Sequence, residues 1–566
     1  MIAQRRFQRI AFFAVACLLF TYLLLDRTDR IPPVPASWGY VPSTFDWANR
    51  RARHVIAVES MTSLPLGPPR ELPRIQHDFV NQLSATHNKT QRERRHAVRD
   101  AAVKSWAAYR QHAWGKDELA PVSLSAKDTF NGWGATLVDS LDTLWIMGMR
   151  KEFNEAVRAV SRINWDKSNS RFCSLFEANI RYLGGLLAAY DLSGEEVLLK
   201  KAVELGEMLY AAFDTPNNLP SNRFNFAAVK EGLLVASKRE ASAAVGTLSL
   251  EFTRLSQLTG DPKYFSVIDS IKRHFERTQD ETKLPGMWPI FIDVRNGFQV
   301  TDNAFSIGAM ADSAYEYLPK MYSLLGGLDQ TYKKMYLKAM ATVKKHLLFH
   351  PMLPDTYPET SPDILFPGTV LSNGRIIDLV PEVQHLGCFA GGMFALGAKL
   401  FHQDEDLKTA EQLSRGCAWA YETFPTGIMP ETAEIVPCPV GGAATAACVW
   451  NETIWKAKGP DPAINKVLPK PYAAVRDPQY LLRPEAVESL FVLYRVTGKE
   501  DWLDVAWRMF QSVKKATETR GAFSAIADVQ AEGGTMKIDA MEVNSPFSLI
   551  MLLPFPSHSS LLILPT

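Results

Sequence analysis

From about residue 92 onward, apolar positions recur at spacings of three and four, the period that lines side chains along one face of an α-helix. The pattern predicts helices over approximately 93–112, 136–148, 151–161, 174–190, 195–212, 242–259, 263–277, 302–318, 328–348, 385–401, 405–423, 483–497 and 500–516, with a last one near 540–552. Several stop in turn chemistry and are followed by another helix: Asp191-Leu-Ser-Gly194, Leu258-Thr-Gly260-Asp261-Pro262 and Val496-Thr-Gly498-Lys499. A glycine able to turn left-handed closes the first helix of each pair. The stretches RLSQLTGDPKYF and VLYRVTGKEDWL resemble one another, so the chain reads as a repeated helical hairpin of irregular length. Alternation with a period of two is sparse, which argues against a doubly wound sheet.

Such hairpins stack into an open solenoid or close into a ring of inner and outer helices. Two features favour closure. Small residues crowd Leu183-Gly184-Gly185-Leu186-Leu187-Ala188-Ala189 and Ala390-Gly391-Gly392-Met393-Phe394-Ala395-Leu396-Gly397, which lets backbones approach closely. Acidic residues also recur where segments start, and could point into a common cavity. Residues 425–482 are rich in Pro, Gly and Ala and read as a long loop region on one face.

Ahead of this body, Ile10 to Leu25 carry no charge, follow Arg5, Arg6 and Arg9, and precede Asp26, Arg27, Asp29 and Arg30. A helix of that length spans roughly 24 Å, close to the thickness of a thin bilayer. No convincing small-x-small cleavage site follows, so an uncleaved transmembrane signal anchor at 10–25 is expected in preference to a removed signal peptide, with a buried helix as a further alternative. The arginines assign 1–9 to the cytoplasm and the remainder to a lumen. Residues 26–91, Pro-, Ser- and Arg-rich over much of their length, read as a stem, and 92–542 as the folded body.

Sixty-two basic against 61 acidic residues leave a formal charge of +1, so no global field favours nucleic acid. Of six cysteines, Cys17 lies in the apolar segment. The other five, Cys173, Cys388, Cys417, Cys438 and Cys448, are odd in number and lack metal-site spacing, so at least one free thiol or one unusual pairing is expected. Two sequons, Asn88-Lys89-Thr90 and Asn451-Glu452-Thr453, are compatible with a lumen.

Candidate chemistry rests on carboxylates, because a glycosidic bond is cleaved by a paired general acid and base. Glu177 and Arg181 share a helical face at a spacing of four, which reads first as an intrahelical ion pair and alternatively as a ligand contact. Asp312 and Glu316 share a face beside Tyr315 and Tyr317, whose amphipathic rings suit a sugar. In Arg483-Pro484-Glu485-Ala-Val-Glu488, the proline suits a first helical turn and Glu485 lies at its positive end. His385, ahead of a small-residue helix, reads in isolation as a structural histidine.

The same residues carry a family resemblance. NGWGATLVDSLDTL from Asn131, FEANIRYLGG, TLSLEFTRLSQLTGD, ADSAYEYLPK, HLGCFAGGMFALG, LRPEAVESLFVLYRVTG and GAFSAIADVQ resemble, in order, the motifs of the class I alpha-1,2-mannosidases, family 47 of the glycoside hydrolases. The resemblance implies an all-α fold, an (αα)7 barrel of inner and outer helices. It also implies calcium-dependent, inverting hydrolysis of terminal alpha-1,2-linked mannose on high-mannose N-glycans of glycoproteins, by a monomer without nucleic acid. By motif match Glu177 would be the general acid, acting through a water, Glu485 the leading candidate base, and Asp312 a further essential acid. Arg181, Glu251, His385, Arg483 and Glu488 would line the sugar subsite, Asp139 and Asp142 would be structural, and Cys388 and Cys417 would pair. The anchor would place the protein in the endoplasmic reticulum or Golgi membrane as a type II protein. A noncatalytic or weakly active mannose-binding relative of glycoprotein quality control is the alternative.

Agreement stops after Met541-Glu542. The family continues there into a helix and a segment whose threonine binds calcium directly, whereas residues 543–566 form a divergent, apolar and proline-rich tail that Pro546 keeps from starting a helix. The barrel is accordingly expected to be incompletely closed, without that direct calcium ligand and with the metal ligands unassigned.

Overall fold

The computed structural model describes residues 38–79, 85–354, 363–439, 448, 450–458 and 468–541. Long helices dominate it: α1 (Ala85–His112), α2 (Leu141–Ile146), α3 (Arg150–Val160), α4 (Gly184–Ser193), α5 (Glu196–Tyr210), α6 (Ser249–Thr259), α7 (Pro262–Thr278), α8 (Asp312–Leu324), α9 (Gln330–His346), α10 (Ala390–Phe401), α11 (Asp404–Glu422), α12 (Glu485–Thr497) and α13 (Asp501–Thr517). Even-numbered helices pack in succession as an inner layer, α2 on α4 and onward to α10 on α12, and each is backed by the odd-numbered helix that follows it. This is the layering of an (αα) barrel. The turns are those the sequence signalled, with Gly194, Gly260 and Gly498 at φ of +72°, +73° and +71°.

Sequence decides which layer each helix joins. In α7, buried Tyr264, Phe265, Ile268, Ile271 and Phe275 line one side while Lys263, Arg273 and Arg277 stay on the other. Helix α10 is buried on nearly every side, Lys399 excepted, as a helix apolar all round must be. Its small residues admit close neighbours: a Cβ on Gly397 would lie 2.2 Å from the hydroxyl oxygen and 2.4–2.5 Å from ring carbons of Tyr336 in α9.

Helix α1 completes the outer layer between its two ends. On one side Arg94 pairs with Asp504 at 2.7 Å and Lys104 with Glu518 at 2.7 Å. On the other Arg99 Nε donates to Met147 O (3.2 Å) and Arg110 to Glu155 (2.9 Å). Among the described residues, therefore, the odd-numbered outer helices outnumber the inner ones by one. The chain is last described at Met541, after a short strand (Lys537–Ile538) whose neighbour Asp539 accepts from the Val122 and Ser123 N–H groups. The helix expected at 540–552 and the divergent tail lie outside the described residues.

Residues 38–79, read from sequence as stem, are built into the body. They run over the outer helices and reach the end of α12, bonding through Trp38 to Glu195 (2.8 Å), Ser43 Oγ to Glu204 (2.6 Å), His54 N to Asp214 (2.7 Å), Thr62 N to Ser266 (3.1 Å) and His77 N to Arg495 O (2.7 Å). Trp38, Trp47, Ile75 and Phe79 are buried there.

The inner helices begin at a loop face floored by small sheets. Strands β1 (Glu382–Gln384), β2 (Thr432–Ile435) and β3 (Tyr472–Asp477) pair antiparallel in that order, Gln384 opposite Thr432 and Thr432 opposite Asp477, which brings residues 385, 431 and 479 together. The helix expected over 302–318 starts only at Asp312. Ala304–Phe305 pairs instead with Val370–Leu371, and Met310 takes φ +72°, so tertiary pairing overrides the helical period.

Cys388 and Cys417 form a disulfide, as the resemblance implied. Cys438 and Cys448 form a second that spacing did not suggest, and Cys173 is buried and free.

The membrane expectation requires correction. Among the described residues no helix is long and apolar enough to cross a membrane. The longest, α1 and α11, carry charges along their length, which hydrocarbon would have to desolvate. Residues 10–25, on which the anchor was placed, lie outside the described residues. The membrane partner, the type II topology and residence in the endoplasmic reticulum or Golgi membrane are accordingly withdrawn.

Gly397→Ala should destabilise the α9–α10 contact by about 1–3 kcal/mol, the usual range for overpacking a core. A melting temperature equal to that of the parent would contradict this packing.

Candidate active site

Three inner helices bring acids to the loop face. Glu177 follows Ser174, whose hydroxyl accepts the Glu177 N–H (3.3 Å). A π-helical turn, Ala178–Leu183, then leads into α4. Such turns widen a helix and are frequent at functional sites. Here the turn holds Asn179, fully buried, which donates to Thr247 O (3.2 Å) and Glu251 Oε2 (2.8 Å). Arg181 donates from Nε to Glu177 Oε2 (2.9 Å), lies 3.7 Å from Asp139, and sits 4.5 Å over the Phe130 ring. The intrahelical ion pair is present, and Arg181 serves two carboxyls at once. Burial pushes Asp139 up to about 7, with Arg181 opposing. Asp142 is also raised by burial, against the N–H of Thr143.

Asp312 opens α8. Its Oδ1 accepts the Ser313 N–H (2.8 Å), and Ser313 Oγ meets Thr247 Oγ1 at 2.7 Å, tying this helix start to the approach of α6. Burial pushes Asp312 up to about 7; the Ser313 N–H opposes this, while the charges of Glu316 and Glu485 add to it. Glu316 is paired with Lys320, and Tyr317 OH donates to Glu251 Oε1 (2.9 Å). Burial raises Glu251, its Asn179 and Tyr317 donors opposing. Tyr315 does not face a sugar: its hydroxyl bonds the Trp288 backbone and the side chain is wholly buried.

Glu485 opens α12. Burial pushes it up to about 7, with Arg483 opposing and Glu431 and Glu316 reinforcing. His385 Nδ1 lies 3.4 Å from Glu485 Oε2, and its Nε2 is 2.7 Å from Tyr421 OH, so this fully buried histidine bridges an acid and a phenol. Glu488, one turn on, is pushed up to about 8 by burial, against Lys320 and with Glu316 and Glu485 adding to the rise. Arg483 pairs with Glu431.

The structure therefore gathers Asp312, Glu485, Glu488 and His385 into one interacting cluster with Arg483, and places Glu177, Arg181 and Asp139 in a second, with Glu251 bonded to residues from α8 and from the π turn. Such an arrangement can hold carboxyls poised to exchange protons near neutral pH. Sequence reasoning missed Glu431, Asn179, Lys320 and Tyr421. The one legible signal was Pro430-Glu431, which repeats the Pro484-Glu485 dipeptide.

A calcium ion wants six to eight hard oxygen ligands. The described acids do not fit that requirement: among the described residues no group of three or more His, Cys, Asp or Glu could hold a metal ion. Those that gather face Arg181, Lys320 or Arg483, and burial favours the neutral forms of Glu485 and Glu488.

Glu488 ionises at about 8 in the fold and near 4.5 when unperturbed, so between those values the folded chain holds the extra proton and stability falls as pH rises. Glu488→Gln should therefore be more stable than the parent at pH 8, by on the order of 2 kcal/mol, and lose the advantage near pH 4.5. A pH-independent difference in melting temperature would contradict this.

Comparison with known proteins bears on the same residues. The sequence profile of glycosyl hydrolase family 47 matches residues 101–544. A mannosyl-oligosaccharide alpha-1,2-mannosidase of Coccidioides posadasii is 33% identical over 502 residues, covering 86% of this chain and 90% of its own. The human endoplasmic reticulum mannosyl-oligosaccharide 1,2-alpha-mannosidase is 35% identical over 451 residues, which are 79% of this chain and 58% of the human one. Among solved structures, an alpha-1,2-mannosidase from Trichoderma reesei superposes with a TM-score of 0.72 at 30% identity, covering 82% of this chain and 93% of that one. The chain belongs to glycosyl hydrolase family 47.

Proposed function

We propose that this protein hydrolyses terminal alpha-1,2-linked mannose from high-mannose N-glycans with inversion at the anomeric carbon. The observation that carries the reading is the meeting, at one face of an (αα) barrel, of carboxyls from separate helix starts, two of them held near neutrality, in a chain of family 47. The named mannosidases among its relatives support the choice of sugar and linkage.

In this reading Glu177 delivers a proton, through a water, to the glycosidic oxygen as the bond from C1 breaks. Arg181 holds that carboxyl in place. Glu485 accepts a proton from the water that attacks C1 on the opposite face; His385 fixes its orientation, and the charge of Arg483 favours its ionised form. A base with proton affinity near neutrality retains driving force while staying partly ionised at working pH. Asp312 is the alternative base and otherwise reinforces Glu485's hold on a proton. Inversion requires about 6.5–9.5 Å between acid and base carboxyls so that the water fits. Glu251, Glu488 and Arg181 complete the lining of the sugar site. Calcium enters this reading through family membership alone; each proton transfer above belongs to the chain's own side chains.

Incubating the protein with a high-mannose glycan should release free mannose. Glu177→Gln, Asp312→Asn and Glu485→Gln should each lower kcat by roughly a hundredfold or more, the range for removing a general acid or base. Retained glycan binding without mannose release by the folded parent chain would refute the reading.

A further inference from the structure

Glu431 was not singled out by sequence, yet it holds the corner from which Glu485 starts. Leu482 has φ +64°, a left-handed conformation in which a branched side chain is disfavoured. Such strain persists only where the surroundings hold it. Glu431, 8% exposed, grips both sides of this residue: Oε1 accepts the Leu481 N–H at 3.0 Å, and Oε2 pairs with the Arg483 guanidinium. Its own backbone is anchored as well, its N–H donating to Gln479 O and its C=O accepting from His385 N, both at 2.9 Å. Tyr480 OH closes the corner by donating to Arg483 O at 3.1 Å. Glu431 thus links His385, just after β1, through its backbone, and through its carboxylate the two residues that flank the strained Leu482 ahead of α12.

We propose that Glu431 is a positioning residue: by clamping Leu481 and Arg483 around Leu482 it sets the place of Glu485 and restrains Arg483 from fully neutralising it. The proposal rests on the reading of Glu485 as the base. The groups facing Glu485 are Arg483, His385, Glu431, Asp312, Glu316 and Glu488, with Tyr421 and Tyr480 behind His385. Of these, Glu431 alone both holds Arg483 and opposes its effect on Glu485. Without that charge, one of the influences that oppose Arg483 is lost, and the base gives up its proton at lower pH.

The test compares Glu431→Gln, which keeps an oxygen for Leu481 and loses the charge, with the parent chain. The acidic limb of the pH profile of kcat/KM should move down by roughly half a unit or more. The kcat should fall roughly tenfold with KM within about threefold, the pattern of a lost transition-state contribution. Glu431→Ala should also speed amide hydrogen exchange across 479–485 by roughly tenfold relative to α5, a readout that needs no turnover. Leu482→Gly, which removes the strain, should recover part of the kcat lost in Glu431→Gln. An unmoved acidic limb, or exchange across 479–485 unchanged in Glu431→Ala, would overturn the proposal. If the parent chain releases no mannose, the glycosidase reading falls and the exchange measurement still decides the clamp.

Discussion

Taking carboxylates out of water is the constraint on which this structure turns. A buried acid either finds a cation or N–H donors or keeps its proton. Here the inner helices leave Asp312, Glu485 and Glu488 too little solvent to ionise at their ordinary values, while Arg483 and Lys320 offset only part of the burial. The cluster stays protonatable near neutral pH because these cations are shared, Arg483 with Glu431 and Lys320 with Glu316.

The fold that enforces this is assembled from hairpins whose inner members start at one face. Acids at the first turns of α8 and α12 therefore share one mouth, and the π turn before α4 brings Asn179 to Glu251 from a third helix. The outer layer is held by other means. Helix α1 joins α13 to the α2–α3 corner through charged side chains, and residues 38–79 span the outer helices largely through hydrogen bonds to single carboxylates such as Glu204 and Asp214. Asp214 alone receives the backbone N–H groups of Arg53 and His54.

Much of this was legible in sequence, because helix periodicity and glycine stops are local. The turns at Gly194, Gly260 and Gly498 and the close packing of Gly397 followed from residue type alone. What escaped depends on distant partners. Residues 302–311 looked helical until pairing with Val370 and Leu371 claimed their backbone, and Tyr315 looked like a sugar platform until its hydroxyl was found on Trp288. Glu431 sits in a stretch without periodicity, where nothing local shows that its carboxylate reaches Arg483, 52 residues away. The family motifs named the acids, since motif order carries what helical spacing cannot. They could not reveal the shared cations, which come from contacts between elements.

The proposed inversion requires a water to attack C1 from the side opposite the departing oxygen, between two carboxyls on different helices. Proton NMR of the first mannose formed, recorded before mutarotation, reads that geometry directly. Inversion releases the beta anomer first from the alpha-1,2 linkage; alpha-mannose as the initial product would contradict it.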